Sequence, residues 1–183
     1  RGADGWADFE RIGITAACGD PFLRLGTVKL FVDGSMGAGT ALFFEPYADD
    51  PSTSGLPIHT KEQLDLLVGN ADRAGLQIAA HAIGDKANAW ILDALAKARA
   101  ANGERDARHR IEHSQVVRAD DVARFKGLGV IASIQPSHCI DDMRWAEKRI
   151  GARVRDAYRW ASFLQAGVRL AFGTDWDVEP LDP

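Results

Sequence analysis

Residues 60–113 read TKEQLDLLVGNADRAGLQIAAHAIGDKANAWILDALAKARAANGERDARHRIEH, and the hydrophobic period switches three times along them. Thr60 and Gln63 form a T-x-x-Q capping box, after which Leu64, Leu67, Val68, Ala71 and Ala74 recur at helical spacing until Gly75 supplies a stop. LQIAAH follows as a short apolar strand ending at His81. A second helix is predicted from about Asp85 to Ala101, with Ala87, Ile91, Ala94, Leu95 and Ala98 on one face, and RHRIEH returns the chain to a strand at His113. Helix and strand alternate without a hairpin signal between them.

The same rhythm extends both ways. Upstream, Val28, Leu30 and Val32 alternate with Lys29, Phe31 and Asp33, which predicts a strand over 27–32. Downstream come a helix near 119–127, the strand GVIASIQ at 129–135, helical segments through 141–166 and a last strand, VRLAFG, at 168–173. Strands alternating with helices are parallel strands joined by right-handed crossovers, so the fold class is α/β. A complete (β/α)8 barrel takes about 250 residues. Five units in 183 residues therefore read as part of a TIM-type barrel. Residues 1–26, with a short helix over 4–13 and a Gly/Pro-punctuated stretch, precede these strands, and 27–183 are expected to form the partial barrel. The Gly- and Pro-rich segment 34–59 is a long loop of the kind that borders functional sites.

Composition narrows the function classes. The chain has 46% hydrophobic and 26% charged residues, as globular proteins do, and its 22 basic against 26 acidic residues form no basic cluster that would follow a phosphate backbone. Nucleic acid is not an expected partner. No apolar run approaches the roughly 18 residues of a membrane span, and the polar, acidic opening RGADGWADFER does not resemble a secretory leader, so a cytoplasmic protein is expected. Cys18 and Cys139 lie far apart without CxxC spacing and are expected as free thiols.

Four polar residues end or interrupt apolar runs: Lys29 in VKLFVDG, His81 in IAAHAIGD, His113 in RIEHSQ and Asp175 in LAFGTDWD. In a βα-repeat fold all four fall at one rim, where two imidazoles and a carboxylate suit a divalent metal. Each also has a structural alternative: a hydrogen-bonded core histidine, an Asx-turn or helix cap at Asp175, or a lysine that snorkels out of its strand. Asp177 competes with Asp175. His138 in SIQPSH and Trp176 lie near the same rim as candidates for substrate contact, whereas His109 falls toward the opposite end of its strand. GSMGAG lacks the Lys-Ser/Thr ending of a P-loop, and no GxSxG elbow is present.

The words KLFVDGSMGAGTALFFEPY, HAIGDKA, RIEHSQ, SIQPSH and AFGTDWDVEPLDP, in that order, closely resemble the amidohydrolase family 3 group, whose members include N-substituted formamide deformylases. The resemblance runs from about Thr27 to Pro183. It implies a metal-dependent hydrolase acting on the C–N bond of a small amide, formamide or cyclic amide. It implies one or two divalent ions, zinc foremost, held by His81, His113, Lys29 and Asp175, with Asp175 exchanging the proton. Lysines of such K-x-F strands are often carboxylated and bridge two metals; the sequence leaves open whether Lys29 is. Esterase or lactonase chemistry on the same site is a further alternative. Family members also carry a His-x-His pair on their first barrel strand, and this sequence contains none. The chain is accordingly expected to correspond to strands four to eight, an internal fragment that is either inactive alone, noncatalytic, or completed by a second copy across its open edges.

Overall fold

The computed structural model describes residues 18–181 and, ahead of them, Arg11 and Gly13. The helix expected over 4–13 otherwise lies outside the described residues. A small antiparallel pair, β1 (Cys18–Gly19) and β2 (Arg24–Leu25), comes first. It leads into a five-stranded sheet of β3 (Thr27–Phe31), β4 (Gln77–Ala82), β5 (Arg110–His113), β6 (Ile131–Ile134) and β7 (Leu170–Phe172). All five strands are parallel and stand in chain order. The connections are α1 (Lys61–Arg73), α2 (Asp85–Asn102) and α3 (Ala119–Leu128). Between β6 and β7 run α4 (Pro136–Asp142), α5 (Ala146–Ile150), a 3-10 turn (Gly151–Asp156) and α6 (Trp160–Gln165). This is the α/β arc of a TIM-type barrel.

The capping box forms as the sequence requires. Thr60 Oγ1 accepts the Gln63 amide at 3.2 Å and the Thr60 amide donates to Gln63 Oε1 at 3.0 Å, two contacts that together stabilise the helix start by about 1 kcal/mol. At the other end Gly75, with φ of 77°, reverses the chain and its amide reaches the Asp72 carbonyl.

Alternation along each strand decides what it buries. Leu30, Ile78, Ala80, Ile111, Ala132 and Ile134 point to the helices and meet Leu64, Val68, Ile91, Leu95, Phe125 and Phe163 in one core. Each large side chain wholly buried there contributes roughly 1.5–3 kcal/mol. The opposite, concave face carries Lys29, Arg110 and, one layer closer to the strand ends, Phe31, His81 and Glu112 in register. A second core lies over the strand ends, where Met36, Ala41, Phe43 and Tyr47 of the long loop pack on Ile83, Val116, Ala146 and Ile150. The loop is thus a built part of the rim.

Candidate metal centre at the strand ends

β4 delivers His81 to the concave face by its parity, and the turn that follows is locked on both sides. The Asp33 carboxylate accepts the amides of Ile83 and Gly84, while Asn88 Nδ2 faces the carbonyls of Ala82, Ile83, Gly84 and Val116. Satisfying these buried backbone groups leaves the HAIGD turn one conformation. Gly84 is required by space: a Cβ there would stand 2.0 Å from the Leu42 carbonyl oxygen. His81 Nε2 lies 2.9 Å from the Gly34 carbonyl and 3.6 Å from Asp33 Oδ1.

His113 reaches the site differently. It pairs with Ala82, whose side chain is buried on the helix side, so a regular strand would turn His113 away from the concave face. Positive φ values at His113 (72°) and Ser114 (44°) break that parity. Histidine is among the residues that tolerate this region, and such strain collects at functional sites. The ring comes to rest 4.5 Å from that of His81 and stacks at 5.7 Å on that of His138, which α4 supplies. Its Nε2 lies 4.0 Å from Asp175 Oδ2, and Asp175 itself has φ of 55°. The buried Nδ1 of His113 has no hydrogen-bond partner.

Burial, reinforced by the neighbouring His81, His138 and Lys29, pushes the His113 pKa down to about 3. Burial also lowers that of His81, with the Lys29 charge adding to it and the Gly34 hydrogen bond and the Asp175 and Glu112 charges opposing it. Both rings are therefore neutral near pH 7, the form that ligates metal. His138 Nε2 lies 3.7 Å from Glu179 Oε1, and the Tyr158 hydroxyl and Gln115 amide both bond Asp142, tying α4 to the chain after β5.

Of the residues singled out in the sequence, His81, His113, His138 and Asp175 come together around His113. Trp176, the residue after Asp175, is 68% exposed. Lys29 takes the snorkelling alternative: it is exposed, its side chain lying on the open concave face with Nζ 5.0 Å from the centre of the Phe31 ring. It lies close enough for its charge to be felt by both histidines. Among the described residues, no three His, Cys, Asp or Glu side chains yet converge at ligand distances. His109 is at the far end, as expected, accepting the Ile78 amide and reaching Asp72. Cys139 is a free thiol. No helix among the described residues is long and apolar enough to cross a membrane. Sequence reasoning missed Asp33, Asn88, Glu112 and Glu179; only Asp33, a carboxylate closing an apolar strand ahead of a glycine, left a usable signal.

The Amidohydrolase family model matches residues 2–183. This chain belongs to that family. It is 35% identical to the Bacillus subtilis putative amidohydrolase YtcJ over 181 residues, covering 98% of this chain and 32% of that protein. Against Arabidopsis thaliana Protein LONG AFTER FAR-RED 3 the identity is 44% over 164 residues, 88% of this chain and 28% of the relative. A solved structure of a metal-dependent hydrolase from Pyrococcus furiosus superposes with a TM-score of 0.85 at 40% identity, covering 98% of this chain and 36% of that one. The chain thus spans about a third of the length of these family members.

Proposed function

We propose that this family member contributes the metal-binding half of a hydrolase site that cleaves the C–N bond of a small amide, formamide or cyclic amide. The observation that carries the reading is the buried, unpartnered Nδ1 of His113 in a cluster of imidazoles with a carboxylate at its edge. An orphaned ring nitrogen costs roughly 1–3 kcal/mol, and a cation that accepts its lone pair removes that cost. The metal-dependent hydrolase from Pyrococcus furiosus, at 40% identity, agrees with the reading.

The donor set suits a divalent ion, with zinc foremost. His81 and His113 are the ligands assigned to it, and Asp175 and Lys29, the latter once carboxylated, complete the set. Bound there, such an ion polarises a carbonyl and brings the pKa of bound water toward neutrality. The chain's own residues do the rest. Asp175 takes the proton from the attacking water and passes it to the departing nitrogen, a role its position beside His113 allows. The His113–His138 stack keeps water and wrong rotamers out of one side of the cluster, and Trp176 and His138 flank the small-molecule substrate. Residues 27–183 act as the partial barrel in this scheme.

A noncatalytic, metal-binding part-barrel is the second reading, favoured by the chain's spanning about a third of the length of its relatives and by the lack of a His-x-His pair in its sequence. Zinc titration of the chain beside His81→Ala and His113→Ala, followed by hydrolysis of matched amide, formamide and ester substrates, separates the two. Zinc binding by the chain that is lost in both variants, with amide turnover by the complete enzyme that carries these residues, supports the proposal. Unchanged stoichiometry in both variants refutes the ligand assignment, and faster ester turnover refutes the bond assignment.

A further inference from the structure

Asp33 lies two residues past the end of β3, and its side chain is fully buried. Oδ2 accepts the amides of Leu42 at 2.8 Å and Gly84 at 2.9 Å, and Oδ1 accepts that of Ile83 at 3.0 Å. One carboxylate therefore knots three segments: the end of β3, the long loop at Leu42, and the turn after β4. The next residue in the chain, Gly34, turns its carbonyl onto His81 Nε2 at 2.9 Å. Asp33 Oδ1 stands on the same nitrogen at 3.6 Å.

The Gly34 carbonyl, the nearer of the two, can only accept. Nε2 must then carry the ring proton, and in the neutral imidazole the lone pair is left on Nδ1. We propose that Asp33 is the positioning residue of this site: by holding the β3 and β4 turns together it presses the Gly34 carbonyl against His81 and so fixes both the orientation of the ring and its Nε2–H tautomer. Nδ1 is the nitrogen left for a ligand. The consequence for metal binding rests on the reading of His81 as a ligand; the tautomer does not.

A carboxylate is the group this knot needs. Three backbone N–H donors converge on its two oxygens, and an asparagine would offer one oxygen and turn an NH2 group at the remaining donor. Asp33→Asn keeps the size and removes the match. The nearby Asn88 cannot substitute, because it serves the carbonyls of the same turn rather than the amides.

The test is a nitrogen-15 imidazole correlation spectrum of the metal-free chain at neutral pH. His81 is expected as the Nε2–H tautomer. His109 is the internal reference, since its Nδ1 accepts the Ile78 amide and its position at the far end should not respond. In Asp33→Asn the His81 signals should shift to a tautomer mixture while those of His109 stay, and zinc affinity should fall by about 10–100-fold. Val68→Ala, a truncation in the core of α1, lowers stability as well and should leave the His81 signals in place. Unchanged His81 signals in Asp33→Asn, or an Nδ1–H ring in the unmodified chain, would overturn the proposal. If Asp33→Asn does not fold, the unmodified chain decides through couplings across the hydrogen bonds from the Ile83 and Gly84 amides to the Asp33 carboxyl carbon. Their presence supports the knot and their absence refutes it. An altered tautomer with unchanged zinc affinity would uphold Asp33 as the positioning residue and remove His81 from the ligand set.

Discussion

Replacing Gly84 by alanine tests the rim at its tightest point. The added Cβ would stand 2.0 Å from the Leu42 carbonyl oxygen, 2.5 Å from its carbon and 2.8 Å from its nitrogen. All three are backbone atoms, so no side chain can swing aside, and the loop must retreat by more than an ångström. The Leu42 carbonyl accepts the amides of Lys86 and Ala87, and the Leu42 amide donates to Asp33. Losing two or three of these buried bonds at about 1 kcal/mol net each, with some residual strain, gives a destabilisation of ~2–4 kcal/mol. For a chain of this size that is a fall in melting temperature of about 5–12 °C.

Gly69→Ala is the matched control. Gly69 lies inside α1 and a Cβ there meets nothing within 4 Å. The same substitution should therefore stabilise the chain by about 0.5–1 kcal/mol through helix propensity alone. Reversible urea unfolding of the three proteins, followed by circular dichroism, reads both signs. A Gly84→Ala variant within about 0.5 kcal/mol of the parent, the range of an ordinary surface substitution, would show that the contact between the loop and the HAIGD turn is not the constraint inferred here.

The His113 pKa, pushed to about 3 from its ordinary 6.5, means that the unfolded chain binds one more proton than the native chain between those values. Stability from this group is complete above pH 6.5 and is lost as pH falls toward 3, so the unmodified chain minus His113→Gln should give a stability difference rising by about 1.4 kcal/mol per pH unit across pH 4–6. A flat difference, measured by urea unfolding at several pH values, contradicts the burial. Burial raises the Asp33 pKa to about 7, which gives the opposite slope and lets the two groups offset each other in the unmodified chain. In the active enzyme Asp175→Asn should slow turnover by on the order of 10²–10⁴, with Asp177→Asn mild, and equal losses would remove the reason for choosing Asp175. Among the described residues β3 pairs only with β4 and β7 only with β6, so each presents an unpaired row of backbone groups; light scattering should show concentration-dependent self-association, and an amide and formamide turnover assay little activity of this chain alone. A stable monomer with full activity would refute both parts.

The sheet and its helices were legible because each rests on a local signal. Alternation marked β3, short apolar runs between helical segments marked β4 to β7, and the Thr60–Gln63 box marked the start of α1. The two-residue strands β1 and β2 were not, since neither is long enough to show a period. α4 starts at Pro136, directly after β6 and ahead of the expected helical region. A proline in the first turn needs no amide partner, which is why the strand can give way to helix so abruptly. Asp33 was read as one more alternating residue of its strand. Its partners are the amides of Leu42, Ile83 and Gly84, nine to fifty-one positions away in sequence, and no local pattern announces them.

His113 shows why naming the right residue is not the same as deriving its geometry. Strand parity assigns His81 to the concave face and, through the Ala82 pairing, assigns His113 to the helix side. Two imidazoles on opposite faces of a sheet hold nothing in common. The two successive left-handed residues, His113 and Ser114, reverse that assignment and bring the rings to 4.5 Å. Residue type encodes this turn only weakly, because neither position is glycine, so the conformation must be held by what surrounds it. Ser114 Oγ bonds the Ile111 carbonyl, Gln115 bonds Asp142, and the Val116 amide reaches the Ile83 carbonyl across the second core. The last of these contacts is with the same turn that Asp33 and Asn88 lock behind His81. The two histidines are therefore brought together by one set of backbone bonds at the rim, and a substitution that loosens the loop around Leu42 should disturb His113 as well as His81.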